Sequence, residues 1–245
     1  MRRDVKTLLA TALLGAGATW GPLVPEAMSH MTTFRIDEVE VRGLRFLTED
    51  SIVSQLQLST ETSVWGDTDA WAERVASHPM VRSAQVDRKI PNGLLVRVEE
   101  RRPIALAPTP TLEPVDVDGR RLPIDPARYR LDLPILASSH TPPEGSQLFP
   151  EDVRSLAAEI DRLMNVDAEF VQRVSTLSWD DRGSLVAHMS GPEVLFLFRP
   201  GTSESRLREG EAAFTDALAR APSNVPAIVD LRFADQVVVR RMREE

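Results

Sequence analysis

The chain has no cysteine among its 245 residues. That excludes a disulfide framework, a thiolate nucleophile and any metal site built on sulfur. Histidine is nearly as scarce. His30, His78, His140 and His188 are the whole set, and no two of them stand at metal-ligand spacing. Positive charge is in deficit, with 29 Lys and Arg against 37 Asp and Glu. A nucleic-acid partner is therefore not expected, because phosphate binding needs a concentrated cationic surface. Aromatic residues make up 5%, including a single tyrosine. There is no glycine-rich phosphate loop, and Gly183-Ser184 lacks the second glycine of a nucleophile elbow. No internal repeat or low-complexity segment is present. The absences point away from catalysis: no catalytic set, cofactor or metal is expected. The remaining composition, 42% hydrophobic and 27% charged, is that of an ordinary globular protein.

The N-terminus carries an export signal. Arg2, Arg3 and Lys6 precede an uncharged run from Thr7 to Val24, just long enough to cross a bilayer. Gly15, Gly17, Gly21 and Pro22 dilute its leucines. It reads either as an uncleaved signal anchor, which is preferred, or as a cleaved signal peptide. Under both readings the basic flank stays in the cytoplasm and the bulk of the chain lies outside it.

The strongest local signal is His78 to Ala105. Pro79 stops the preceding helix, since proline cannot continue its hydrogen-bond ladder. Ala84, Val86 and Arg88 alternate along one strand, and Leu94, Val96 and Val98 along the next. Asn92-Gly93 between them predicts a type I′ hairpin turn, with positive φ at both residues. Upstream, Phe34 to Gly43 reads as a strand whose phase slips at Asp37-Glu38. Thr48 and Asp67 or Thr68 are candidate N-caps of two short helices. Trp65 and Trp71 read as core residues. The order is strand, helix, helix, strand, strand.

Beyond Arg102-Pro103 the chain is irregular to Pro150. A third helix is predicted from Glu151 to Met164, strands over Val174–Trp179, Ser184–Met189 and Val194–Arg199, and a fourth helix over Ser203–Ala219. Asp180 and Asp181 read as turn formers. Glu99 and Glu100 fall on opposite faces of a strand and cannot easily share one site. A long strand, Ala227–Val239, ends the folded part. If it lies at a sheet edge, its unpaired N–H and C=O groups can accept a partner's strand; if interior, it cannot. The alternation alone leaves both open.

Taken in order, Phe34-Arg-Ile-Asp-Glu-Val-Glu-Val-Arg-Gly43, His78-Pro-Met-Val81, Leu94-Leu-Val-Arg-Val-Glu-Glu-Arg101 and Pro103-Ile-Ala105 resemble a POTRA domain. One such domain after a single N-terminal anchor resembles the FtsQ/DivIB family of bacterial cell-division proteins. Val115-Asp-Val-Asp-Gly119, Leu133-Pro-Ile-Leu136 and Asp230-Leu-Arg-Phe233 are similar to later segments of that family. The resemblance implies an α+β protein in five parts: a cytoplasmic tail (1–6), a transmembrane signal anchor (7–24), a POTRA domain (33–102), a mixed β domain with two helices (103–240) and a tail (241–245). It further implies a non-catalytic divisome scaffold in the cytoplasmic membrane at the septum. The POTRA domain would meet other divisome proteins, and the final strand would bind an FtsB/FtsL-type coiled-coil partner. Arg232 would then meet an acidic group of that partner and Phe233 would supply an aromatic contact, with Asp230, Leu231, Ala234 and Asp235 pairing backbone alongside. Phe233 stands where the family often has tyrosine. Two alternatives remain: a POTRA-containing component of secretion or outer-membrane assembly, and an exported enzyme acting on the cell wall.

Overall fold

The computed structural model describes residues 32–241, except 110, 139, 141–144, 192 and 221–226. The run Thr7–Val24 lies outside them. Among the described residues no helix is long and apolar enough to cross a membrane. The chain divides between Arg101 and Arg102 into two compact units.

The first unit runs β1 (Glu38–Arg42), α1 (Glu49–Leu56), α2 (Thr68–Ala76), β2 (Val81–Lys89), β3 (Gly93–Glu100). The sheet order is β1-β3-β2, with β1 parallel and β2 antiparallel to the central β3. Alternation on β3 sends Leu94, Val96 and Val98 into a core with Val86, Ile52, Leu56, Trp71 and Val75, while Arg97 and Glu99 face water. The Thr48 hydroxyl caps α1 and the Asp67 carboxylate caps α2. Both caps satisfy amides that a helix start leaves without partners. Gly43 joins β1 to α1 at φ +93°, and a Cβ there would stand 2.0 Å from the Val98 carbonyl oxygen. Only glycine fits. Glu100 is 7% exposed, and its carboxylate accepts the amides of Phe46 and Leu47 at 2.8 and 2.9 Å. It pins the loop that follows Gly43, so Glu100 has a structural role.

Two expectations change here. The phase slip at Asp37-Glu38 is where the strand begins: Phe34 closes a 3-10 turn, and only Glu38 onward pairs with β3. The hairpin is present, but its turn is not type I′. Lys89 faces Gly93, the turn is Ile90-Pro91-Asn92 with a cis Ile90–Pro91 peptide, and neither Asn92 nor Gly93 has positive φ. Asn92 instead turns to β1, donating its side-chain amide to Asp37 at 2.7 Å. Gly93 sits where space is tight. A Cβ there would meet the Lys89 side chain at 3.2 Å, and that side chain reaches Glu38 and Glu40 on β1, each at 3.1 Å.

The second unit is one sheet of eight strands with helices packed on one face. The strands are β4 (Ala105–Thr109), β5 (Thr111–Val115), β6 (Ile135–Ala137), β7 (Val174–Trp179), β8 (Leu185–Met189), β9 (Val194–Phe198), β10 (Ala227–Asp230) and β11 (Val238–Arg241). Their spatial order is β11-β10-β9-β8-β7-β6-β4-β5. The expected two helices are α4 (Glu151–Val166) and α6 (Glu204–Arg220), joined by two short ones, α3 (Pro126–Tyr129) and α5 (Ala168–Arg173). Val153, Leu156, Ile160 and Leu163 of α4 face Leu136, Leu177 and Ala187 of the sheet. Phe170 stands edge-on to Phe196 and Phe198, with centroids 5.4 and 6.1 Å apart. Such pairs add roughly 0.5–1.5 kcal/mol each beyond their burial.

The predicted single last strand is two strands. β10 stops at Asp230, residues 231–237 form a loop, and β11 folds back antiparallel, with Val229 opposite Val239. β10 also pairs with β9, so it is interior, and the free edge belongs to β11.

Candidate functional site

The site is built where β7, β9 and β10 all end. At the end of β10, Leu231 donates its amide to the Leu197 carbonyl at 2.7 Å, which prolongs the pairing with β9 by one bond. Its side chain is 4% exposed and lies beneath α6 at Gly210, where a Cβ would come within 2.8 Å of it. A Cβ at Gly210 would crowd Leu231 and Phe196, so the helix packs closely over the end of β10.

Arg232 comes next and is fully engaged. Its Nε and Nη2 donate to Asp230 at 2.8 and 2.7 Å, and Nη1 donates to Asp180 at 3.1 Å. The fork geometry of the guanidinium suits such a bidentate grip. Asp180 begins the β7–β8 turn and also accepts the amides of Ser184 and Arg182, at 2.7 and 2.9 Å. Arg232 therefore ties that turn to the end of β10. Three charge states follow. The Ser184 amide, against some burial, together with the Arg182 amide and the Arg232 charge, holds Asp180 below the usual carboxylate range. Burial would raise Asp230, but hydrogen bonds and charge from Arg232 outweigh it and keep that carboxyl low as well. Arg232 is raised in turn, chiefly by its bonds to Asp230.

Phe233 is then turned out to solvent, at 46% exposure. Its loop is held from the helix side too: Arg206 of α6 donates to the carbonyls of Phe233 and Gln236, both at 2.6 Å. An exposed aromatic on a clamped loop can bind with little ordering cost. Two depressions flank it. One, of about 540 Å³, is lined by Arg182, Ser184, Arg199, Arg232 and Phe233. The other, of about 620 Å³, has Leu197, Asp230 and Val238 along it, with Asp180, Arg232 and Arg240 around them. The second reaches β11, whose outer edge meets no other strand among the described residues.

Of the six residues read from the sequence, Phe233, Ala234 and Asp235 are exposed, Arg232 is half-buried, and Asp230 and Leu231 are buried. Backbone pairing by Asp230 is taken on both sides, by Leu197 and Val238. Leu231, Ala234 and Asp235 lie outside any strand. Arg182, Arg199 and Arg240 were missed. Arg182 sits in a turn 50 residues before Arg232, and nothing local links the two.

One cluster invites a catalytic reading. The Ser138 hydroxyl and His140 Nδ1, the latter at 3.0 Å, both meet Oδ2 of Asp152. A nucleophilic triad needs histidine between serine and acid. Here the serine donates straight to the acid, so nothing takes its proton, and the set ties a loop to the start of α4. Among the described residues no three His, Asp or Glu could hold a metal ion.

Comparison with known proteins shows what the chain resembles. Residues 34–101 match the model of the FtsQ-type POTRA domain. A cell division protein FtsQ from Rhodothermus marinus is 28% identical over 257 aligned positions, covering 98% of this chain and 88% of that protein. The chain is similar to the FtsQ/DivIB family of cell-division proteins. FtsQ of an Anaeromyxobacter strain is 34% identical over 56% of this chain and 46% of its own. DivIB of Geobacillus kaustophilus is 34% identical over 29% of this chain and 27% of its own. The first unit is accordingly the part of the chain that matches an FtsQ-type POTRA domain, within an α+β protein.

Proposed function

We propose that this protein is a non-catalytic scaffold of the division septum. Thr7–Val24 holds it in the cytoplasmic membrane, its two domains lie outside the cytoplasm, and β11 takes up a strand from an FtsB/FtsL-type partner. The observation that carries the reading is the unpaired edge of β11 beside an exposed Phe233 on a clamped loop. A four-residue edge ending in Arg240 and Arg241 is also how a sheet protects itself from unwanted pairing. The flanking depressions and the exposed aromatic are what a protective edge does not need. Strand addition gives affinity through main-chain bonds and specificity through adjacent pockets, and Phe233 with its two depressions supplies the second part.

The reading moves the contact surface. Asp230, Leu231 and Arg232 become its support; Phe233, Ala234, Asp235 and β11 become its face. The POTRA domain is assigned to other divisome proteins, as the family resemblance implies. Proline substitutions at Val238, Val239 and Arg240, one at a time in the full chain, test it. Successive residues of a strand point their N–H groups to opposite sides. Residues 238 and 240 share one direction and 239 has the other. The parity that faces outward keeps the melting temperature and loses the co-expressed FtsB/FtsL-type partner in pull-down. Retention of the partner by all three variants refutes docking at β11.

A further inference from the structure

Ile90 is the most exposed large apolar side chain among the described residues, at 55%. It stands with Pro91, also exposed, at the tip of the β2–β3 hairpin. Turn tips face water and are ordinarily built from polar residues, glycine and proline. A single exposed apolar side chain needs no explanation by itself. Its place in the fold supplies one. β1 runs parallel to β3 with Glu38 opposite Gly93, so β1 starts beside the turn that β3 leaves. Asp37 donates its amide to the Asn92 carbonyl at 3.0 Å and accepts the Asn92 side-chain amide at 2.7 Å. The tip therefore lies at the end of the domain where the chain enters.

Residues 25–31 alone separate that entry from the anchor proposed to end at Val24. A stretch of that length reaches at most about 25–30 Å, so the Ile90 end is the one kept beside the bilayer. The charges there select the kind of surface. Lys89 is held by Glu38 and Glu40, each at 3.1 Å, and Arg35 by Glu61. Arg88 donates to the carbonyls of Val64 and Gly66 at 2.9 and 2.7 Å. These cations are already engaged and are not offered to a polyanion or an anionic headgroup. Ile90 and Pro91 offer apolar surface.

We infer that Ile90 and Pro91 dip into the outer leaflet of the cytoplasmic membrane, where headgroups meet acyl chains, and so fix how the POTRA domain stands on the bilayer. This rests on the anchor at Thr7–Val24 proposed above. Burying one isoleucine would not hold a free protein on a membrane. The tether changes that. It makes the contact intramolecular, at an effective concentration near the millimolar range, where a weak interaction is enough.

The absence of cysteine makes the test direct, since one introduced cysteine takes a spin label without background. The full chain is reconstituted in phosphatidylcholine nanodiscs and labelled at Ile90→Cys or, in the first turn of α1 at the opposite end of the domain, at Glu49→Cys. Oxygen concentrates among acyl chains and a nickel chelate stays in water. The oxygen-to-nickel collision ratio should be at least about threefold higher at position 90, and should not change when phosphatidylglycerol replaces part of the lipid. Ile90→Asp leaves thermal unfolding unchanged, because the residue is exposed, and frees the tip; the rotational correlation time of the label at Glu49→Cys then falls by about half or more. Equal ratios at the two positions, in discs that carry the chain, overturn the inference and leave the anchor standing. A chain that does not enter discs shows that the anchor itself has failed, and the inference with it. Shielding of position 90 that appears only with a co-expressed FtsB/FtsL-type partner, or only with two chains per disc, would assign the tip to a protein and overturn the membrane contact.

Discussion

Replacing Arg232 with glutamine separates a supporting role from a contact role. The substitution keeps most of the side-chain volume and removes the charge. Asp230, 4% exposed, loses its bidentate partner, and Asp180 loses one of its donors. Removing one member of a buried ion pair costs about 3–5 kcal/mol, because the other charge is left buried without compensation. The Arg232 side chain is 20% exposed and the Asp180 side chain 21%, so water screens part of the interaction. A loss of about 2–4 kcal/mol is the appropriate scale. For a domain of this size each kcal/mol moves the melting temperature by roughly 2–4 °C. The β domain of Arg232→Gln should therefore melt about 4–16 °C below wild type, with the POTRA transition unmoved.

The pH dependence gives a sharper signature. Asp180 and Asp230 have folded-state pKa values held below their ordinary ones. A depressed folded pKa means that the unfolded chain binds protons first as pH falls. The contribution is complete above the unfolded value near 3.9 and is lost progressively below it. In Arg232→Gln the sign at Asp230 reverses. Burial is then the leading influence, the folded carboxyl is raised, and protonation on the way to about pH 4 relieves the cost. The gap between wild type and variant should be widest near neutral pH and narrow steadily from about pH 5 to pH 3. Urea unfolding of the full chain, followed by tryptophan fluorescence at a series of pH values, measures it. A gap under 1 kcal/mol at pH 7, or one that does not change with pH, would sink the clamp and return Arg232 to the role of a free contact.

Two further substitutions probe the POTRA domain. Gly43→Ala places a Cβ 2.0 Å from a backbone oxygen at φ +93°, which neither a rotamer change nor a small shift relieves; a loss of about 3 kcal/mol or more is expected, read as a drop in the POTRA melting transition. Glu100→Gln replaces one of two accepting oxygens with a donor facing the amides of Phe46 and Leu47. The expected cost is about 2 kcal/mol, with hydrogen exchange accelerated at those two amides first, and unchanged protection there would refute the pin.

Local signals carried the fold far and the site only partly. Caps at Thr48 and Asp67, the stop at Pro79 and the alternation along β3 each depend on residues within a turn or a strand, and each is where the sequence placed it. Asn92-Gly93 shows the limit of such signals. The pair does mark a hairpin, but Pro91 supplies the turn and Gly93 makes room for a lysine side chain that crosses to β1. A dipeptide preference cannot distinguish these, because the reason for the glycine lies on the opposite strand.

The last strand failed for a related reason, and the failure decides what the site is. Ala227 to Val239 alternates well enough to pass for one strand, and the polar pair Asp235-Gln236 is the sole hint of a break. The break exists because Arg232 is held by two carboxylates and Arg206 holds the carbonyls beyond it. Asp180 is 52 residues from Arg232 and Arg206 is 27 residues from Phe233. Periodicity sees neither. With the loop fixed from both sides, β10 stays interior, β11 becomes the edge, and Phe233 is turned to solvent beside it. The two arginine clamps that hid the loop from the sequence are thus the same groups that hold Phe233 out to solvent.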